Sequence, residues 1–569
     1  MRRMTRTSGE WSCAIALSLI TISRVAIAVP GPDTVAVIAN RNVAESVMLA
    51  QRYADARNVP ARQVCTVDVP DVDTITLADF RMRVFDPLQT CLRAAGVLDR
   101  VEAVVIARGL PLRVTIPEGT GIRTVGFAAA LFAWRSTMAA DMSLFIGQLP
   151  GADVMCGGGS RCYAARWRNP FLAGVFEPGW ESSGQGVVWR PALVTMLHGR
   201  TYADAARLIT SAIDGERMGG ARGEFMFMNG ADAARGVLDA QTPRVITALQ
   251  ASGIAMATRV PFDTNLTGHR LAAFFTGTAS LGMAIEGNTF APGAIVDNLT
   301  SFGAVPDNFL ATGESQVSIA RWVSMGVAGA HGTVAEPLNN CFPNRDLIVD
   351  YVNGSTLSES YFRNMPFAYW LNLVLGDPMA APYATRPTVT LEGVRAGDAL
   401  AGARRIVARA TDPMGRAIAW VAMFADGVEV GRATGDHVEV CANVMPGMNR
   451  QILAVAQVAD DGSRTGAHQP KGWTSISVTA TTGDTMCAAV SDGGAADASS
   501  DGNDGAGSGD GAMAQGDASS DVGAEGRSGG ASCACRIAGA PSAHRRGGFG
   551  VLVGMVLCFA RARRPARHR

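Results

Sequence analysis

The stretch Val101-Glu102-Ala103-Val104-Val105-Ile106-Ala107 is apolar at every position except Glu102. Such a run is typical of a strand that is buried on both faces of a parallel sheet. Two earlier strands, 34–39 and 63–69, are each followed by a pattern of helical periodicity. Strands that alternate with helices give right-handed crossovers and an open parallel sheet. The sequence therefore predicts a doubly wound α/β domain over residues 29–386.

The rest of this domain is less regular. A glycine-rich insertion is predicted at 115–185, where it packs over a sheet edge or forms part of a cleft. The strand and helix pattern then resumes, and apolar residues at helical spacing predict helices over 231–252 and 356–375.

The hydrophobic period changes to two after Pro387. Short alternating strands surround an Asp426-Gly427 turn, which is a hairpin signal. We therefore predict an all-β, immunoglobulin-like sandwich module over 387–482. Residues 483–532 consist mainly of Gly, Ala, Ser and Asp, so they bury too little apolar surface to fold and form a disordered spacer.

The two ends of the chain carry targeting patterns. Residues 1–28 combine an arginine-rich start, an apolar stretch and a small-residue site that predicts signal cleavage after Ala28. The last segment, 533–569, contains Cys533 and Cys535, a short hydrophobic helix at 547–560 and a terminal run of arginines. Fourteen apolar residues rise only about 21 Å as a helix, whereas the hydrocarbon core of a membrane is about 30 Å thick.

This order of cysteine pair, hydrophobic helix and arginines resembles the MYXO-CTERM sorting tail. The resemblance implies that a sorting protease processes the tail near Cys533 and Cys535, that the tail contacts the membrane before processing, and that the protein is held at the cell surface or outer membrane. An ordinary transmembrane helix that anchors the chain is the alternative.

Composition narrows the class of partner. The 569 residues include 50 basic and 50 acidic side chains, and this balance excludes the basic surface that nucleic-acid binding requires. Lys471 is the single lysine of the chain, so nearly all the positive charge is arginine.

Export implies an oxidising compartment, in which cysteines form disulfides. Seven of the eleven cysteines remain once those of the signal and the tail are set aside. We predict the pairs Cys65–Cys91, Cys156–Cys162 and Cys441–Cys487. Cys341 is left over, and a buried, unreactive thiol is the commoner outcome for such a residue.

The sequence contains none of the common signatures for metal, phosphate or nucleophile sites. Its seven histidines are far apart along the chain and do not show the spacing of a zinc site. We therefore predict neither a metal nor a cofactor.

Three segments match an uncharacterised family of exported proteins in their order and context: Val105–Arg113, Gly332–Pro337 and Leu375–Pro378. The resemblance covers residues 33–384. It implies an export-linked role at the surface of bacteria that carry exosortase-type sorting systems, and it brings no assigned catalytic residues.

The strands 271–275 and 293–299 and the closing Gly376-Asp377-Pro378 are also similar to the caspase-like fold of gingipain-type cysteine peptidases. In that fold a His-Gly follows one strand and a cysteine follows the next, so that base and thiolate meet above the sheet. In this sequence Thr276-Gly277 stands at the histidine position and Ser301-Phe302 at the cysteine position. Both members of the dyad are missing, and the sequence favours a protein without peptidase activity.

Open α/β sheets bind ligands beyond the carboxyl ends of their strands. The polar residues that we expect there are Arg108, Arg113, Asp297, Ser301, His331, Glu336 and Asp377. Each also has a structural interpretation, such as the pairing of arginines with backbone carbonyls or the capping of a turn. We expect a non-catalytic surface protein whose partner is a peptide, a glycan or an envelope component. The alternative is a surface hydrolase, such as a divergent gingipain-like peptidase.

Overall fold

The structure is a computed structural model of the chain. It describes residues 29–118, 121–131, 192–309, 314–366, 371–460 and 469–487, together with short strands between 135 and 190. The predicted signal peptide, most of the predicted insertion, the spacer, the sorting tail and the Cys156–Cys162 pair lie outside the described residues.

A ten-stranded sheet organises the first part of the chain. Its strands are β1 (Val35–Asn40), β2 (Val64–Val67), β3 (Ala103–Ala107), β4 (Leu193–Leu197), β5 (Glu224–Met228), β6 (Ala257–Val260), β7 (Arg270–Thr276), β8 (Thr289–Asn298), β9 (Gly329–Thr333) and β10 (Asn372–Gly376). The order across the sheet is β6-β5-β7-β8-β9-β10-β4-β3-β1-β2. β10 runs antiparallel to β9 over five residue pairs and meets β4 at one pair, Met196 and Leu375. The remaining neighbours are parallel.

The central strands are buried because helices cover the sheet. The helices are α1 (Ala44–Arg57), α2 (Asp86–Ala94), α3 (Phe127–Leu131), α4 (Tyr202–Arg217), α5 (Thr242–Ala251), α6 (Ile319–Ser324), α7 (Leu347–Val352) and α8 (Leu357–Asn364). α4 packs along β8 and contacts α1 and α6, whereas α3 and α8 pack against β4 and β10. Capping boxes start α4 at Thr201 and α8 at Thr356. The predicted α/β class with a mainly parallel sheet is confirmed.

Two helix predictions are wrong. The predicted helix 356–375 ends at Asn364, and Asn372–Gly376 forms the buried strand β10, because pairing with β9 decides its conformation. The predicted helix 231–252 begins only at Thr242. In the turn before this helix, the Asp232 carboxylate accepts hydrogen bonds from the backbone N–H groups of Ala234 and Arg235. This local bonding competes with helix formation.

Residues 388–481 form two further β sheets around a separate apolar core. The strands are β11 (Thr388–Glu392), β12 (Ala399–Ala401), β13 (Ala403–Thr411), β14 (Ile418–Ala425), β15 (Val428–Thr434), β16 (His437–Asn443), β17 (Gly447–Val458) and β18 (Lys471–Thr481). One sheet has the order β11-β13-β16 and the other β12-β18-β17-β14-β15. We call this part the β region.

Two of the predicted disulfides are confirmed. Cys65 in β2 is bonded to Cys91 in α2, and Cys441 in β16 is bonded to Cys487. Cys341 is a free, buried cysteine, as we expected for the residue that the three predicted pairs leave over. Disulfides of this kind are consistent with a protein that matures outside the reducing cytosol.

The expected transmembrane helix is contradicted in the part of the chain that the structure describes. No helix there is both long enough and apolar enough to span a membrane. The longest, α4, has 16 residues and carries charged side chains on its outer face. A helix of that length rises about 24 Å, less than the thickness of the hydrocarbon core.

Candidate functional site

The structure divides the seven candidate residues among four places. Arg108, Ser301 and Glu336 lie just beyond strand ends of the large sheet, and Arg113 begins a strand, Arg113–Glu118, of a separate small sheet. Asp297 and His331 lie inside the large sheet, and Asp377 lies in a buried ion cluster with α1 and α4. They therefore do not form one site: Ser301 contacts Glu336, and Asp297 contacts His331, at two separate places.

Ser301 follows β8 and Glu336 follows β9, which brings the two side chains together at the carboxyl ends of neighbouring parallel strands. The Ser301 hydroxyl donates to Glu336 Oε1 over 2.9 Å. Its backbone N–H donates to Gln316 Oε1 at 3.0 Å, and its carbonyl accepts from the Thr333 hydroxyl at 2.9 Å. Ser301 is half-buried and Glu336 is exposed, so the pair faces solvent from a fixed backbone.

Thr276-Gly277, where the sequence resemblance leads us to expect a histidine and a glycine, is enclosed by the protein. Thr276 is fully buried, and its hydroxyl donates to the carbonyl of Asn229. A Cβ atom on Gly277 would lie 2.0 Å from the carbonyl oxygen of Arg235, and the Ala231 N–H donates to the Gly277 carbonyl. The turn over residues 230–236 therefore leaves no room for a side chain on Gly277.

The two arginines beyond β3 bind the protein's own polar groups. Arg108 donates to the carbonyls of Gly199 and Arg200 at 3.2 and 3.1 Å, and its guanidinium lies 4.4 Å from the ring centroid of Tyr202. Arg113 donates to the Thr74 hydroxyl at 3.2 Å. Arg108 thus joins the ends of β3 and β4, which is the structural interpretation that its position suggests.

Asp297 and His331 belong to a buried polar network. His331 Nδ1 lies 2.9 Å from Asp297, and its Nε2 lies 3.0 Å from the side-chain oxygen of Asn372. Arg345 donates to the other Asp297 oxygen at 2.8 Å and to the Thr276 carbonyl at 2.7 Å. Burial lowers the pKa of Arg345, although Asp297 opposes this effect. Solvent does not reach these groups, so they hold β7, β8, β9 and β10 together.

Cys341 lies beside this network and is unreactive for a physical reason. Its thiol is fully buried and packs with Leu238, Leu299 and Phe342. Burial, and next the negative charge of Asp297, raises the pKa of Cys341 well above that of an ordinary thiol. The thiolate that a nucleophile requires is therefore disfavoured.

Asp377 accepts hydrogen bonds from the Tyr53 hydroxyl, the Arg57 guanidinium and the Met379 N–H. Arg57 also pairs with Glu216 on α4. The cluster is buried and connects the end of β10 to α1 and α4. Sequence patterns gave no signal for it, because α1, Glu216 and Asp377 lie more than 150 residues apart along the chain.

None of the four histidines that the structure describes contacts Ser301. His269 pairs with Glu224 at 3.0 Å, and His437 pairs with Asp436 in the β region. His331 is enclosed in its network, and the His198 ring packs against Phe309. Within the described residues, Ser301 therefore has a carboxylate but no imidazole as a neighbour.

His198 is buried at the end of β4. Its ring centroid lies 4.5 Å from that of Phe309, in a T-shaped contact. Burial, and next the positive charge of Arg108, lowers the pKa of His198 to about 3. The folded protein therefore holds this imidazole neutral.

We expect His198 to make stability fall in mild acid. Between its folded pKa and the ordinary value of about 6.5, the unfolded chain binds a proton that the folded chain does not, so the free energy of unfolding decreases as pH falls through this window. The slope from one such group is at most about 1.4 kcal/mol per pH unit. Urea unfolding at about pH 4.5 and pH 7 should show a smaller loss for His198→Gln than for the parent. The exposed His437→Gln variant should keep the parental loss, and equal losses in all three proteins would contradict the assignment.

Comparison with known proteins adds little to this geometry. No protein family and no curated protein matches the chain. A solved structure described as a protease aligns with 79% of this chain and 98% of its own, at 11% identity and a TM-score of 0.43. Fibronectin(III)-like modules of Clostridium thermocellum CbhA align with 20% of this chain and 53% of their own, at 17% identity and a TM-score of 0.14. Neither likeness is close enough to assign a family.

Proposed function

We propose that this chain is an exported protein that binds a surface ligand and has lost hydrolytic chemistry, on an α/β scaffold of the caspase-like type followed by an immunoglobulin-like module. Thr276-Gly277 ends β7 and Ser301 follows β8, and these are adjacent parallel strands. This is the placement that the peptidase resemblance requires for base and nucleophile. The parallel pairing of β12 with β18 in the β region supports a closed sandwich.

One observation carries the proposal: the base position holds Thr276, which is fully buried and whose hydroxyl donates to the Asn229 carbonyl. A general base must lie within hydrogen-bond reach of the nucleophile that it activates. Thr276 has no basic group and is buried. Position 276 therefore cannot accept the proton of the Ser301 hydroxyl, and it does not activate Ser301 as a nucleophile.

Export is the second part of the proposal. The two disulfides support an oxidising compartment. The signal-like start and the cysteine-containing tail of the sequence agree with this compartment.

A fluorophosphonate, which labels activated serines, tests whether the purified protein has lost hydrolytic activity. We expect no labelling at Ser301 under conditions in which trypsin is labelled completely, and no hydrolysis of a casein substrate. Stoichiometric labelling that disappears in Ser301→Ala would contradict the proposal.

A surface hydrolase remains the second candidate because of one contact. The Ser301 hydroxyl donates to the Glu336 carboxylate, and a carboxylate can act as a weak general base. In that case Glu336→Gln should abolish fluorophosphonate labelling, whereas Glu314→Gln, at an ion pair with Arg200, should not.

A further inference from the structure

A groove lies between the C-terminal half of α1 and the sheet that contains β17 and β18. Its volume is ≈ 750 Å³, and small-ligand sites typically measure about 300–1,000 Å³. Junctions between domains are frequent places for such sites. None of the seven candidate residues lines the groove, so it is separate from Ser301 and Glu336.

The two walls of the groove are joined by Gln451. Its amide nitrogen donates to the Asn58 carbonyl at 3.0 Å and to the Ser475 hydroxyl at 3.1 Å. Its backbone exchanges two hydrogen bonds with Asp426, each 2.8 Å long. These bonds fix the distance between α1 and the β region, so the groove is preformed and a ligand does not have to order it.

Three short polar residues with left-handed backbones surround the groove. They are Asn58, Asp426 and Asn449, with φ of 59°, 46° and 53°. Among the described residues, these are the only non-glycine positions with positive φ. Asn58 ends α1 and Asp426 starts the Asp426-Gly427 turn, so each has a local reason. Three short polar side chains therefore line the groove from left-handed backbone positions.

The groove is lined by two carboxylates and two guanidinium groups, so its formal charges cancel. Asp55 accepts a hydrogen bond from a neighbouring amide, and Arg62 donates to a backbone carbonyl. Arg450 lies 3.5 Å from Asp426. Arg450 and Asp426 form an ion pair, whereas the partners of Asp55 and Arg62 are neutral and Arg450 Nε has no hydrogen-bond partner in the part of the chain that the structure describes. A charged ligand would therefore meet like as well as opposite charges in this partly desolvated site.

Two neutral groups of the groove remain available to a ligand. The Asn449 amide and the Ser477 hydroxyl are exposed, and neither has a hydrogen-bond partner among the described residues. Ile476 and Met445, the latter 65% exposed, supply apolar surface beside them. An amide both donates and accepts, as the neighbouring hydroxyls of a sugar ring require. The apolar side chains fit the C–H face of such a ring.

We propose that this groove binds a neutral oligosaccharide, with Asn449 and Ser477 as its hydrogen-bonding contacts. The inference goes beyond the proposed loss of hydrolysis, because the groove holds none of the residues on which that proposal depends.

Calorimetric titration of the purified protein with N,N′,N″-triacetylchitotriose, maltotriose and cellotriose tests the inference, with trigalacturonate as an anionic control. We expect at least one neutral trisaccharide to bind with a Kd of about 1 mM or tighter. Asn449→Gly together with Ser477→Ala should weaken that binding about 10-fold, because two hydrogen bonds are lost while glycine keeps the positive φ. Asn443→Ala, an exposed asparagine on β16 outside the groove, is the matched control and should bind like the parent.

Three results would overturn the inference: no binding of any neutral trisaccharide, equally tight binding of trigalacturonate, or unchanged binding by the double variant. Each would leave the fluorophosphonate result at Ser301 unaffected, so the two proposals fail separately. Thermal unfolding of the double variant at the parental temperature shows that a loss of binding does not reflect a loss of the fold.

Discussion

Replacing Lys471 by methionine is expected to lower the free energy of unfolding by about 3 kcal/mol, because the substitution leaves two carboxylates without their cation. Lys471 is buried, and its ammonium lies 3.0 Å from Glu102 and 3.6 Å from Asp33. It also donates to the Thr34 hydroxyl at 3.3 Å. Lys471 starts β18, whereas its partners lie beside β1 and β3, so the cluster ties the β region to the parallel sheet.

The two carboxylates determine the direction in which the pKa of Lys471 shifts. Burial opposes the charged ammonium, but Asp33 and Glu102 outweigh it and raise the pKa of Lys471. The stabilisation is therefore fully present below the ordinary lysine pKa of about 10.5 and is lost as pH rises through the raised value.

Urea unfolding at neutral pH measures the effect of Lys471→Met. The matched control is Arg409→Met, which removes a cation from an exposed pair with Glu392 and should cost less than about 1 kcal/mol. A Lys471→Met protein as stable as the Arg409→Met control would show that the buried cluster does not hold the two parts together.

The second large effect is expected at Asp297. Asp297→Asn keeps the volume of the side chain but removes the charge that faces Arg345 and His331. Arg345 is then a buried cation without a carboxylate, and we expect a loss of about 3–5 kcal/mol in the free energy of unfolding.

A double variant separates charge from packing at this site. Asp297→Asn together with Arg345→Met removes both charges, so we expect it to be more stable than Asp297→Asn alone. Urea unfolding of the two variants makes the comparison. If the double variant is the less stable of the two, the cost arises from lost packing, and the account of the network as a charge pair is wrong.

Local sequence patterns were sufficient to predict the first strand-helix-strand crossover of the parallel sheet. The apolar run that contains β3 and the cysteine spacing led to a parallel sheet and to the Cys65–Cys91 bond, both of which the structure contains. These features depend on residues that are close in sequence and on burial of both faces of a strand.

Contacts between distant residues were beyond local patterns. β9 reads Gly-Ala-His-Gly-Thr, which has little strand propensity, and pairing with β8 and β10 makes it a strand. Asp377 was expected near the ligand but lies with Arg57, which is 320 residues away. The groove at Asn449 likewise forms only when α1 meets the β region.

The account rests most heavily on one property: among the described residues, Ser301 has the Glu336 carboxylate but no imidazole beside it. Alkylation of a thiol introduced by Ser301→Cys, measured against pH, tests this directly, because buried Cys341 contributes little background. With only the Glu336 carboxylate beside it, the introduced thiol should show a pKa above the ordinary value of about 8.5, and Glu336→Gln should lower it by about one unit. A thiolate that forms below about pH 7 would reveal an activating cation or imidazole at this position, and would contradict the loss of hydrolytic chemistry.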